Sequence, residues 1–245
     1  MDDFLNSNDE KIRINRFLSK YGCCSRRYGD ELIKKGLVFI NDKVATLGSI
    51  VNKQDKVYIK NDSGLKEIKQ NVDFVYIALN KPLGITCTTC KKDKSNIIDF
   101  INYEKRIFPI GRLDKNSYGL ILLTNDGDIV NKILRSENNH EKEYVVKVNK
   151  PITPYFINKM KYGVKILNQI TKPCKITQLN EFSFKIILTQ GLNRQIRRMC
   201  EYLDYKVLSL KRIRVLNIKL GNLKIGEYRH LTKKELNELF LSINK

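Results

Sequence analysis

The chain has 245 residues, enough for one large domain or two smaller ones, and its 42% hydrophobic content suffices for packed cores. Its formal charge of +20, from 46 Lys and Arg against 26 Asp and Glu, exceeds what solubility needs and implies a polyanionic partner: nucleic acid first, an anionic membrane surface second. No apolar run approaches the roughly 18 residues of a spanning helix, and the acidic, polar start MDDFLNSNDEK is unlike a signal peptide, so a cytoplasmic protein is expected.

In chain order, INRFLSKYG places Ile14, Phe17, Leu18 and Tyr21 at helical spacing before a stop at Gly22. SRRYGDELIKKG repeats the plan, with Ser25 as cap and Gly36 as stop. LVFINDKVATLG then reads as strand, Asn41-Asp42 turn and strand. Together these predict a small module over residues 11–60. Basic side chains crowd its helices, Arg13, Arg26 and Arg27 among them, and Lys43 follows the turn. Such a run is either a solvated face or a phosphate-binding one. Residues 61–72, NDSGLKEIKQNV, are polar without a period and are expected to be a linker.

From Asp73 onward FVYIAL, GLILLT, YVVKV, SFKIILT and KVLSLKRIRV read as strands. Two helices between and after them carry their own caps, at Thr153-Pro154 and at Thr232 with Glu235. The expectation is an α+β domain over 73–245 with a sizeable sheet. Six scattered cysteines suit reduced thiols; Cys87 and Cys90 have CxxC spacing, but zinc needs two further ligands, and His140 and His230 are isolated in sequence. No Gly-rich phosphate loop or dinucleotide fingerprint occurs, so neither metal, nucleotide nor redox cofactor is signalled.

The stretch FPIGRLDKNSYGLILLTNDGD sets a single acid, Asp114, between apolar segments. Burying an unpaired carboxylate is costly, so Asp114 needs a cation. Arg112 or Lys115 could supply it within a turn. Alternatively, GLNRQIRRMCEYL offers Arg194, Arg197 and Arg198 three and four residues apart on a helix, although that cluster could equally bind phosphate.

GRLDKNSYGLILLTNDG, ALNKPLGI, HEKEYVV and GLNRQIRRMCEYLDY together resemble the pseudouridine synthases of the type that acts on ribosomal RNA. INRFLSKYGCCSRRYGDELIKKGLVFINDKVATLGSIV resembles the S4 domain, a small RNA-binding module that precedes the catalytic domain in that group. The resemblance implies an S4 domain at 11–60, a linker at 61–72 and, over 73–245, the pseudouridine-synthase α+β fold: a mixed, mainly antiparallel sheet with flanking helices and a central basic cleft. It implies Asp114 as nucleophilic acid, Tyr144 as the aromatic that stacks on uracil and acts as base, and Arg197 as the partner of Asp114. Arg112 would fill the RNA stack vacated by the uridine, Lys81 would support the cleft floor, Leu188 would pack beneath the base and Arg194 would bind substrate. In the S4 module Arg13, Arg26, Arg27 and Lys43 would meet phosphates.

The finer likeness implies a monomeric enzyme, without metal, cofactor or membrane, acting on a stem-loop of 23S rRNA at roughly position 2604, whose base must leave its helix. An adjacent uridine, a small-subunit site and a tRNA anticodon uridine remain as alternative targets, and a non-catalytic RNA-binding assembly factor as an alternative class. Two departures from the family pattern stand out: Asp204 and Asp42 occupy turn positions where Gly is frequent.

Overall fold

The computed structural model describes residues 11–134 and 139–244; the polar start over residues 1–10 lies outside them. Between Phe74 and Val75 the chain divides into two compact units.

The first unit runs β1 (Ile12–Arg13), α1 (Ile14–Lys20), α2 (Arg26–Lys34), β2 (Val38–Ile40), β3 (Lys43–Val44), β4 (Ile50–Val51), β5 (Val57–Asn61) and β6 (Gly64–Glu67). Both helices end two residues before the expected glycines, and Ser25 caps α2 by accepting the Tyr28 N–H. Ile14, Phe17, Leu18, Ile33, Val38 and Val57 form the core. Arg13, Arg26, Arg27 and Lys43 are all exposed. The expected linker is shorter than its polarity suggests. Gly64–Glu67 pair with β5, and Ile68 is buried in the core, so a hairpin of this unit occupies most of 61–68. An edge strand exposed along its whole length, as Gly64–Glu67 are, needs no apolar period, which is why composition alone misreads it.

The second unit runs β7 (Tyr76–Lys81), α3 (Ile97–Ile101), β8 (Phe108–Pro109), β9 (Tyr118–Thr124), α4 (Gly127–Leu134), β10 (Lys142–Val148), α5 (Pro154–Tyr162), β11 (Lys165–Ile166), β12 (Gln169–Ile170), β13 (Lys175–Asn180), β14 (Ser183–Leu188), α6 (Gln195–Tyr202), β15 (Val207–Val215), β16 (Ile218–Lys219), β17 (Tyr228–His230) and α7 (Lys233–Ile243). The main path of its sheet is β13-β14-β10-β15-β9-β7-β17, antiparallel throughout except where β15 meets β9. The mixed, mainly antiparallel α+β architecture is therefore as the sequence implies.

Central strands are apolar on both faces. In β9, Leu120 and Leu122 pack with Ile129, Ile133 and Leu239 of α4 and α7, whereas Ile121 and Leu123 pack with Ile97 and Ile101 of α3. Toward the other edge Val146, Val148, Phe184 and Ile186 pack with Phe156, Met160 and Met199 of α5 and α6. Thr153 caps α5, and Thr232 with Glu235 forms the capping box of α7. Asp204, after α6, has φ +61, a conformation that asparagine and aspartate tolerate better than most residues and that explains why glycine suits the position. One close approach governs the sheet centre: Gly119 has φ +104, and a Cβ there would strike the backbone carbonyl of Arg212. Only glycine lets β9 and β15 come together at that point.

Candidate active site

A cleft of about 1120 Å³ opens in the second unit, lined by Arg112, Asp114, Lys142, Tyr144, Leu188, Arg194, Arg197 and Arg212 among others. Tyr144 and Leu188 reach it from neighbouring strands, because β10 and β14 pair antiparallel. Leu188 is buried, and Tyr144 is half-buried between two apolar clusters.

Asp114 sits on the segment joining β8 to β9. Leu113 points into the core and its N–H meets the Cys87 sulfur at 3.4 Å, while Arg112 is exposed. A turn follows, in which the Ser117 N–H donates to the Asp114 carbonyl at 2.9 Å. The acid is not buried between strands as the apolar flanks suggest: its side chain is 34% exposed, facing the cleft. The turn lifts it out of the sheet.

Its cation comes from α6. Arg197 Nε lies 3.9 Å from Asp114 Oδ2, an ion pair without a hydrogen bond. The rest of the guanidinium is pinned: Nη2 donates to the Asn116 carbonyl (2.6 Å) and Ser117 Oγ (3.2 Å), and Nη1 to the Val207 carbonyl (3.3 Å). The turn that presents Asp114 and the arginine that faces it thus hold each other in place. Burial, and then neighbouring Arg194, lower the Arg197 pKa, while Asp114 opposes them. Lys115, the local alternative, reaches Ser95 Oγ instead.

The three arginines of α6 do not share a destination. Arg194 stands before the helix with φ +50, exposed at the cleft edge and 4.0 Å from Glu201. Arg198 folds back on Asn193, donating to its carbonyl and Oδ1 at 3.1 Å each.

Lys81 is wholly buried. Its ammonium donates to the carbonyls of Pro82 (2.7 Å) and Ile85 (2.8 Å), tying down the turn after β7, and burial pushes its pKa down to about 8. Across the sheet, Tyr144 pairs with Arg212, Arg212 with Gly119, and Gly119 with Lys81. Two further residues line the cleft without a role implied by the motifs: Arg212, which is 3% exposed, and Lys142. A signal existed: Arg212 follows buried Leu210 by two residues, on the same phase of a strand.

Among the described residues no group of three or more His, Cys, Asp or Glu is placed to hold a metal, and no helix is long and apolar enough to cross a membrane. Cys87 is buried with its thiol pKa raised by burial, whereas Cys90 is exposed.

The family described as RNA pseudouridylate synthase matches residues 75–202, and the S4 domain matches residues 12–57. The chain belongs to the RNA pseudouridylate synthase family. It is an isomerase that converts uridine to pseudouridine in RNA. Over 95% of this chain and 79% of the relative, it is 52% identical to the dual-specificity RNA pseudouridine synthase RluF of Escherichia coli (strain K12). Over 93% of this chain and 95% of the relative, it is 35% identical to the ribosomal large subunit pseudouridine synthase B of Bacillus subtilis (strain 168). A crystal structure of pseudouridylate synthase superposes with a TM-score of 0.68 at 27% identity, covering 93% of this chain and 99% of that one. The matched region supplies most of the cleft lining, including Asp114, Tyr144 and Arg197, and Leu210, Arg212 and Val215 complete it.

Proposed function

We propose that the uridine isomerised by this chain lies in large-subunit rRNA, and that Asp114 carries the chemistry. The observation behind the second part is a carboxylate ion-paired on one side to a pinned Arg197 and open on the other to a cleft that also holds Tyr144. Support for the first part is the likeness to relatives named for large-subunit and dual-specificity activity.

The reaction needs the base out of its helix. As the N1–C1′ bond breaks, the electron pair leaves with uracil and C1′ becomes cationic. Asp114 meets that charge, by bonding to C1′ or by taking the C2′ proton, while Arg197 faces the carboxylate and aims it. Tyr144 stacks on the detached base above Leu188 as it rotates. After C5 bonds to C1′, the tyrosine removes the C5 proton and N1 takes up a proton, leaving an isomer of the starting nucleotide. Arg112, exposed at the lip, fills the vacated RNA stack; Lys81 acts from below by fixing the turn after β7. Arg194, with Arg13, Arg26, Arg27 and Lys43 of the first unit, contacts phosphates and so positions RNA without reading its sequence. The same reading makes the enzyme a monomer that works in the cytoplasm, where ribosomal RNA lies.

The test is a pseudouridine map. Total RNA from a deletion strain, and from the same strain carrying wild-type or Asp114→Ala protein, is treated with a carbodiimide that marks pseudouridine, then read by reverse transcription. One large-subunit stop lost on deletion and restored only by wild type is expected; persistence of every large-subunit stop overturns the target. The dual specificity in the name of the relative favours a second RNA, so the map includes tRNA anticodon uridines.

A further inference from the structure

We infer that Arg212 is a further catalytic residue, whose guanidinium stabilises the negative charge that collects on uracil as the N1–C1′ bond breaks. The inference rests on the site assignment above and extends it from the sugar to the leaving base.

Arg212 is directly opposite Tyr144 in the β10–β15 register, and both line the cleft. A base stacked on Tyr144 therefore has Arg212 as its neighbour within the sheet. The side chain is 3% exposed, and Nε donates to the Leu120 carbonyl at 2.6 Å, which fixes the guanidinium plane. Nη2 is buried and finds no hydrogen-bond partner among the described residues. A buried guanidinium nitrogen without an acceptor is costly, and in a native fold it calls for a missing partner. Asp114 already has Arg197, and among the described residues no acid is bonded to Arg212. The absent acceptor is best supplied by the substrate.

The chemistry identifies which part. Heterolysis leaves the bonding pair on N1, from which it spreads to the two carbonyl oxygens of uracil. A fixed N–H donor with full charge in a water-poor site is what such an anion requires, and it is stronger there than any donor in water. Lys142, two residues before Tyr144 on the same strand and itself at the cleft, adds a second positive charge. When C5 bonds to C1′ the base is neutral again; the C5 proton then leaves, N1 takes up a proton, and the arginine is unchanged.

A purely structural Arg212, bonding β15 to β9 through Leu120, would also be harmed by mutation, so the test reads the leaving group. An RNA stem-loop around the mapped uridine is made with uridine or 5-fluorouridine at that position. Fluorine makes uracil a better leaving anion; it blocks the later proton loss but not bond cleavage. Loss of the parent nucleoside is followed under single turnover, by chromatography after nuclease digestion, for wild type, Arg212→Gln and Arg212→Lys. Arg212→Gln is expected to slow the uridine RNA by about 10²- to 10³-fold and the fluorinated RNA several-fold less, with RNA affinity unchanged. Arg212→Lys, which keeps the charge, is expected to fall between and serves alone if the Gln variant does not fold. Equal slowing of both RNAs, or near wild-type rates, overturns the inference. A wild-type enzyme inactive on the uridine RNA overturns the proposed target on which the inference rests.

Discussion

Two arginine–carboxylate arrangements in the second unit differ in how completely they are satisfied. Arg214 donates from Nε to Glu143 at 2.6 Å, from Nη2 to Glu141 at 2.9 Å and from Nη1 to the Leu216 carbonyl at 2.8 Å; Lys185 and Lys175 add a further bridge to each acid. In the cleft, Arg197 is 3.9 Å from Asp114 and its Nε makes no hydrogen bond. The first arrangement leaves nothing for a ligand to do. The second fixes direction while keeping the carboxylate oxygens available, which is the difference between an ion pair that holds a fold and one that awaits a substrate.

The contrast is broken most directly by Asp114→Ala. Turnover is expected to fall by roughly 10⁴-fold or more, as for other enzymes stripped of a nucleophile, with RNA affinity near that of wild type. A large loss of affinity with modification intact would make Asp114 a binding residue. Next comes Arg197→Met, for which a rate loss of about 10²- to 10³-fold is expected. The turn at Asn116 and Ser117 loses two donors at the same time, so the melting temperature should drop as well. A near-normal rate would mean that another cation, Arg194 foremost, holds the acid.

On the satisfied side, Glu143→Gln tests stability. Burial alone would raise the Glu143 pKa, but hydrogen bonds from Arg214 and Lys185 outweigh it and the net shift is downward. A carboxylate with a depressed folded pKa contributes stability above its unfolded value near 4.5, and that contribution is lost as pH falls through the lower folded value. The variant is expected to lose about 2 kcal/mol at pH 7, roughly 4 to 8 °C in melting temperature. Urea midpoints of variant and wild type should converge as the pH drops below 4.5. A gap that stays constant with pH would assign the loss to packing, not charge.

How far the sequence foretold these two arrangements follows from where each partner lies. The strands around Leu120 and Val146, the Thr153 and Thr232 caps, and the acid and its arginine were legible, because apolar runs, capping residues and family motifs mark them. The Glu143–Arg214 pair was not, since it joins residues far apart in sequence through a register broken by a bulge between Glu143 and Tyr144. Arg212 stayed hidden for the same reason: its importance comes from a cross-strand neighbour. Strand β6 and the five-residue α3 escaped because short elements carry too little periodicity. Exposure of Asp114 was misjudged because the lift comes from turn geometry and not from the residues flanking it.

The smallest effect is expected where arginines face solvent with no enclosed site. Arg26 and Arg27 lie in the first turn of α2 and are exposed. If both meet phosphates, each releases counterions on binding, and their joint replacement by Ala should reduce the slope of log K against log salt by about 1.4 to 1.8 between roughly 50 and 200 mM. Affinity should fall, while turnover at saturating RNA should not change. Arg197→Met should do the reverse, because a partly buried ion pair acting on the reacting centre is screened by salt much less than exposed charges are. An unchanged slope in the double variant would remove these arginines from the RNA interface. A lowered turnover would mean that the first unit does more than hold RNA, since lost phosphate contacts cannot by themselves slow a bound substrate.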